Sequence, residues 1–77
     1  MMVAASFENQ RARRWYRIEI CVDLFGDRLV TKRWGATCSR RGSFHTLVAA
    51  TPGEQTLEVE RETRRRLGRG YTQVSGC

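Results

Sequence analysis

In 77 residues the chain has one proline, one histidine, two tryptophans and three cysteines, and each scarcity excludes something. Cys21, Cys38 and Cys77 are far apart, no C-x-x-C pair is present, and His45 is the single histidine, so no ordinary zinc site can be assembled. The odd cysteine count argues against a disulfide framework and for reduced thiols in a reducing cytoplasm. Cys77 is expected to be exposed and able to cross-link two chains under oxidising conditions. No metal or cofactor is expected. No apolar run approaches the ~20 residues of a membrane span. Met1–Phe7 is too short for a signal-peptide core, and Glu8 follows it. A soluble, cytoplasmic chain without a membrane partner is the expectation. His45 has no nucleophile and orienting carboxylate in a recognisable pattern, and no glycine-rich phosphate loop occurs. The chain therefore reads as non-enzymatic, with no catalytic residue and no small-molecule substrate.

Charge is what the sequence has in excess. Fourteen Lys+Arg oppose eight Asp+Glu, for a formal net charge of +6. Every basic residue except Lys32 is arginine, whose planar five-donor fork suits phosphate and stacks on bases. Such a balance attracts polyanions. A chain of this size folds as one domain and buries about 60–65% of the surface that its unfolded form exposes. That leaves little room for both a core and a deep pocket.

Residues 1–12 are small, polar and weakly patterned, and read as a loose leader. Arg11, Arg13 and Arg14 make a basic entry to the first element. Residues 14–22 alternate, with Tyr16, Ile18, Ile20 and Val22 on one side, which predicts a half-buried strand. Gly26-Asp27 marks a hairpin connection in which Leu24 and Phe25 are expected to pack over the sheet edge. A return strand follows over 28–37, with Gly35 marking a bulge or a close backbone approach. Ser39–Ser43 reads as a loop and 44–50 as a third strand of either parity. Thr51-Pro52-Gly53-Glu54 forms a capping box with proline at the first helical position. It predicts a helix over about 52–67, closed by Gly68 in a left-handed conformation. Glutamates lead and arginines trail in this helix, which suits its dipole, and Glu60–Arg64 and Glu62–Arg66 are spaced for ion pairs. Thr56, Val59, Thr63 and Leu67, with Leu57 at the margin, form its thin apolar stripe. Tyr71 is expected to fold back onto the core, and the tail 73–77 to add an edge strand or fray. The predicted fold class is α+β: a small antiparallel sheet of three or four strands packed by one helix.

Trp15-Tyr16-Arg17-Ile18-Glu19-Ile20, Asp23-Leu24-Phe25-Gly26, Arg33-Trp34-Gly35 and the ending Arg66-Leu67-Gly68-Arg69-Gly70-Tyr71 follow one another in the order and spacing of the WGR domain. The chain resembles that family over residues 13–72, and the bacterial single-domain members share its Asp-Leu-Phe-Gly turn and Arg-Gly-Tyr ending. The resemblance implies a small antiparallel sheet with a helix across it and, by analogy with the DNA-dependent poly(ADP-ribose) polymerases, contact with a DNA end. There the family's tryptophan packs against a terminal nucleotide and its arginine meets the backbone. Trp34 and Gly35 hold the first two signature positions. Ala36 stands where the arginine belongs and Cys38 where glycine is frequent, so the main backbone-contacting guanidinium is missing. Lys32, Arg33, Arg40 and Arg41 lie near enough in sequence to replace it.

The expected site is thus Trp34 and Gly35 with Lys32, Arg33, Arg40, Arg41 and Arg69, the last lying beyond the helix without an obvious partner. Its expected partner is DNA or RNA, held through phosphates without regard to sequence. Trp15 reads as structural, covering the sheet end. The arginines on the helix read as a solvated face, matched by its glutamates. The alternative is a protein-interaction module that docks on an acidic partner or self-associates along its sheet edge.

Overall fold

The cleanest alternation in the chain, strand β2 (Arg14–Val22), lies at the centre of the sheet. The protein is described here from a computed structural model, which covers residues 2–39 and 41–76. Arg40 and Cys77, both given roles above, lie outside the described residues. The elements are β1 (Met2–Asn9), β2, β3 (Arg28–Ala36), β4 (Gly42–Ala49), α1 (Pro52–Gly68) and β5 (Thr72–Gly76). The five strands form one antiparallel sheet in the order β4-β3-β2-β1-β5. An α+β sheet packed by one helix is what the sequence predicted, with one strand more than expected.

That strand comes from the supposed leader. Residues 2–9 are not loose: β1 lies between β2 and β5, and Ala5 and Phe7 are each only 1% exposed. The small side chains of Ala4, Ala5 and Ser6 hid a strand whose pairing comes from the backbone, with Phe7 as its anchor. The tail continues as β5 on the other side of β1.

Cross-strand register sorts the side chains into two faces. Tyr16, Ile18 and Ile20 stand opposite Trp34, Lys32 and Val30 on the face that α1 covers. Phe7 and Ala5 extend this row in β1, and His45 and Leu47 extend it in β4. The core is Ala5, Phe7, Tyr16, Ile18 and Val30, with Ile20, Val59 and Tyr71 packed on it.

The helix begins as its capping box dictates, with one difference. Thr51 Oγ1 accepts from the Glu54 amide at 3.1 Å, but the Glu54 carboxylate accepts from the amide of Ala50, not Thr51. The C-terminus differs too. Gly68 is still helical, and Gly70 is the left-handed residue at φ +88°. The amides of Gly70 and Tyr71 donate to the carbonyls of Leu67 and Arg66, a Schellman closure that turns Tyr71 back toward Arg66.

The helix buries only part of the stripe read from its apolar residues: Val59 packs on the core. Leu57 and Leu67 are exposed, and the one fully buried side chain is Glu62, at 1%. The inward face runs Gln55, Val59, Glu62, Arg66. Gln55 Nε2 donates to the carbonyls of Cys21 and Leu29, tying the start of the helix to β2 and β3.

The hairpin 23–27 is tightly made. Asp23 Oδ1 accepts from the amides of Phe25 at 2.9 Å and Asp27 at 2.8 Å, and Gly26 supplies φ +82°. Leu24 and Phe25 do not cover the sheet edge, because this turn points both outward: they are 100% and 88% exposed. No helix among the described residues is long and apolar enough to cross a membrane.

Candidate nucleic-acid interface

Antiparallel register brings separated basic segments to one end of the molecule. Asn9 pairs with Arg14, Arg14 with Ala36 and Gly35 with Gly42, so the turn 10–13 emerges beside residues 37–39 and Arg41. The Thr37 amide donates to the Arg13 carbonyl at 2.8 Å, joining them. The helix starts at the opposite end and runs back, delivering Arg65, Arg66 and Arg69 to the same pole, where Thr72 pairs with Glu8. Arg11, Arg13, Arg14, Arg41 and Arg69 are all exposed there. Arg13 holds φ +54°, a left-handed conformation that costs a non-glycine residue about 1–2 kcal/mol. The far pole is acidic by comparison, with Asp23 and Asp27 in the hairpin and Glu54 at the helix start beside Arg28.

A cleft of about 530 Å³ opens on the helix-covered face at the basic pole. Its walls are aromatic and cationic: Tyr16, Trp34 and Tyr71 with Arg14, Arg65 and Arg66, and His45 at its β4 side. Trp34 lies nearly parallel to Tyr16, with ring centroids 6.1 Å apart and planes 12° apart. The Arg66 guanidinium sits 4.4 Å from the Tyr16 ring centroid and 5.5 Å from that of Tyr71. Trp34 remains 37% exposed, so the indole is packed on one side and open on the other.

Glu62 anchors this layer from below. Lys32 Nζ and Arg65 NH1 each lie 3.2 Å from one of its oxygens, and Arg66 Nε lies 3.1 Å from the other. Burial pushes the Glu62 carboxyl up. The hydrogen bond and charge of Lys32, the hydrogen bond from Tyr16 and the charge of Arg66 outweigh that, and its pKa falls below the ordinary value. Burial, followed by the charge and hydrogen bond of Glu62, raises the Tyr16 hydroxyl well above its ordinary range, so it stays protonated and donates. The cluster fixes Tyr16, and Tyr16 fixes Trp34.

The expected site residues separate accordingly. Trp34, Gly35, Arg41 and Arg69 lie at the basic pole. Lys32 shares the face of Trp34, but it is held by Glu58 at 2.6 Å and by Glu62, and its side chain is only 12% exposed, so it is a structural ion-pair partner. Arg33 is on the wrong face: a strand alternates, and the neighbour of Trp34 must point away from it. Its Nε lies 3.2 Å from both oxygens of the buried Glu19, and its guanidinium covers Phe44 at 5.2 Å. Arg14, Arg65 and Arg66 take its place in the cleft. They were legible only as a basic entry and a solvated helix face, because nothing in their spacing shows that the helix end meets the start of β2.

Trp15 and Gly35 have structural work. The Trp15 indole covers the pair Gly35–Gly42 on the open face. A Cβ on Gly35 would meet the Arg41 carbonyl at 3.0 Å and Trp15 at 3.1 Å. The register of β2 with β3 is unbroken here, so Gly35 marks a close approach and not a bulge.

The geometry offers a stacking surface among guanidinium groups on a rigid support. No family model matches the chain, and neither a curated protein nor a solved structure does so.

Proposed function

We propose that this chain is a non-enzymatic, cytoplasmic, WGR-like domain that binds nucleic acid through the phosphate backbone without regard to sequence, DNA ends included. One observation carries the reading: arginines from the turn 10–13, the loop after β3 and the end of α1 converge at one pole, around an indole with an open face. Guanidinium groups meet phosphates there, and Trp34 stacks on a base, a contact worth about 1–3 kcal/mol. An open indole beside charge suits a terminal base, whose outer face has no neighbour of its own. Arg14 and Arg65 supply the charge that Ala36 lacks. The same chemistry serves RNA.

The test is a titration with labelled duplex, nicked and single-stranded DNA at two salt concentrations. Affinity falls steeply with salt, and Arg14→Ala with Arg41→Ala lowers the log–log slope by about two, one per phosphate contact. Absence of binding to all three forms at low salt overturns the reading.

A second reading, a protein-interaction module, is favoured by a different feature. Leu24 and Phe25 stand fully or almost fully exposed on a turn held by hydrogen bonds. Capture of a specific acidic or apolar-pocketed protein that survives nuclease treatment would support it.

A further inference from the structure

The two poles of the molecule complement each other. At one end, Leu24 and Phe25 project between Asp23 and Asp27. At the other is a cleft with aromatic walls and the exposed guanidinium groups of Arg14 and Arg65. The hairpin is already fixed in shape: the Asp23 carboxylate accepts two amides, and the Asp23 amide donates to the Asp27 carbonyl at 2.9 Å. A rigid tip loses little freedom when it is captured. Single exposed apolar residues are ordinary, but an adjacent leucine and phenylalanine presented on a braced turn have the form of an interface anchor.

We infer that the occupant of this cleft is the hairpin of a second copy of the chain, giving head-to-tail association. This develops the protein-interaction reading and does not depend on nucleic-acid binding, with which the hairpin would compete for the open side of Trp34, so the association is measured without nucleic acid. Phe25 of one copy lies on the open side of Trp34 of the next, in the offset or edge-on packing that aromatic pairs favour. Asp23 and Asp27 meet Arg14 and Arg65; Glu62 lies against Arg65 alone of the two, and that guanidinium is half in solvent. Charge chooses the direction: tip against tip sets acid on acid, and cleft against cleft sets arginine on arginine. The tip and the cleft lie at opposite ends of the sheet, so one contact leaves a free tip and a free cleft, and the assembly is open-ended. The area of a single turn is small, which places the contact in the weak class, with a dissociation constant on the order of 0.1 mM.

Sedimentation velocity of the full chain tests this, in low salt with reductant present, because Cys38 is an exposed free thiol. The concentration should bracket the expected constant, from about 10 μM to about 1 mM. The weight-average mass rises continuously and does not level off at the dimer. Leu24→Ser with Phe25→Ser removes the tip and leaves a monomer with an unchanged thermal transition, since neither side chain packs on the core. Arg14→Glu with Arg65→Ala disables the cleft, and Arg14→Glu alone serves if the double variant loses its transition. The decisive step mixes the tip variant with the cleft variant. Each is a monomer alone, and together they give one-to-one dimers and nothing larger, because only one good tip and one good cleft can meet. A monomer at every concentration, association that persists in the tip variant, or variants that stay apart on mixing would each overturn the inference.

Discussion

Replacing Glu62 by glutamine keeps its shape and removes its charge, and the structure sets the expected cost. Glu62 is 1% exposed and faces Lys32, Arg65 and Arg66 within 3.2 Å. Breaking a buried ion pair from one side costs about 3–5 kcal/mol, because the opposite charge stays behind without compensation. Here Lys32 keeps Glu58 at 2.6 Å, and Arg65 is half in solvent. The cost therefore falls near the lower bound, about 3 kcal/mol. For a domain of this size each kcal/mol moves Tm by about 4–8 °C, so Glu62→Gln lowers Tm by about 12–24 °C. The pH dependence follows with a definite sign. The folded protein holds the Glu62 pKa below its ordinary value of 4.5, so its contribution is complete above that pH. It is lost as pH falls through the lower folded value. Thermal melts followed by circular dichroism should show wild type losing Tm through this acid range, and Glu62→Gln starting lower and losing less. A Glu62→Gln protein that melts within about 2 °C of wild type at neutral pH would show that the buried carboxylate does not hold this layer together.

Other consequences are more local. Arg33→Ala leaves the salt slope of DNA binding unchanged, whereas Arg14→Ala lowers it by about one, in the same titration at two salt concentrations. Gly42→Ala sets a Cβ 2.8 Å from the Trp34 carbonyl, which must move, and is expected to cost about 1–3 kcal/mol in urea unfolding. Arg13→Gly relieves the left-handed strain and stabilises by about 1 kcal/mol while weakening DNA binding, a split that a melt and a titration read separately. Thr51→Ala removes the acceptor for the Glu54 amide and costs about 1 kcal/mol.

What the sequence revealed, and what it hid, has a physical pattern. Strand β2 and the start of α1 were legible because each carries a local signal: alternation from Tyr16 to Val22, and hydroxyl, proline and acid at Thr51, Pro52 and Glu54. Strand β1 was hidden because Ala4, Ala5 and Ser6 carry no hydrophobic signal, and its pairing with residues 14–20 and 72–76 is non-local. The inward stripe of α1 was misread because an apolar count passes over Glu62, the most buried residue of the helix. Parity shows in the sequence that Arg33 and Trp34 face opposite ways, and it argues against placing both in one site. The convergence of Arg14 with Arg65 and Arg66 follows only from topology. The exposure of Leu24 and Phe25 runs against their chemistry, which favours burial, and that disagreement marks the turn for function.

The proposed function requires that nucleic acid be held at the basic pole, beside the open side of Trp34. Nitrogen-15 chemical-shift mapping during titration with a short DNA duplex, at about 20 μM protein so that self-association does not compete for the cleft, locates the contact, because the two indole N–H signals report on opposite faces of the sheet. The Trp34 indole and the amides of residues 11–14, 35–37 and 65–71 are expected to shift together while the Trp15 indole and residues 23–27 stay still. Shifts centred on Trp15, Arg17 and Arg33 on the open face, or confined to the 23–27 hairpin, would contradict it.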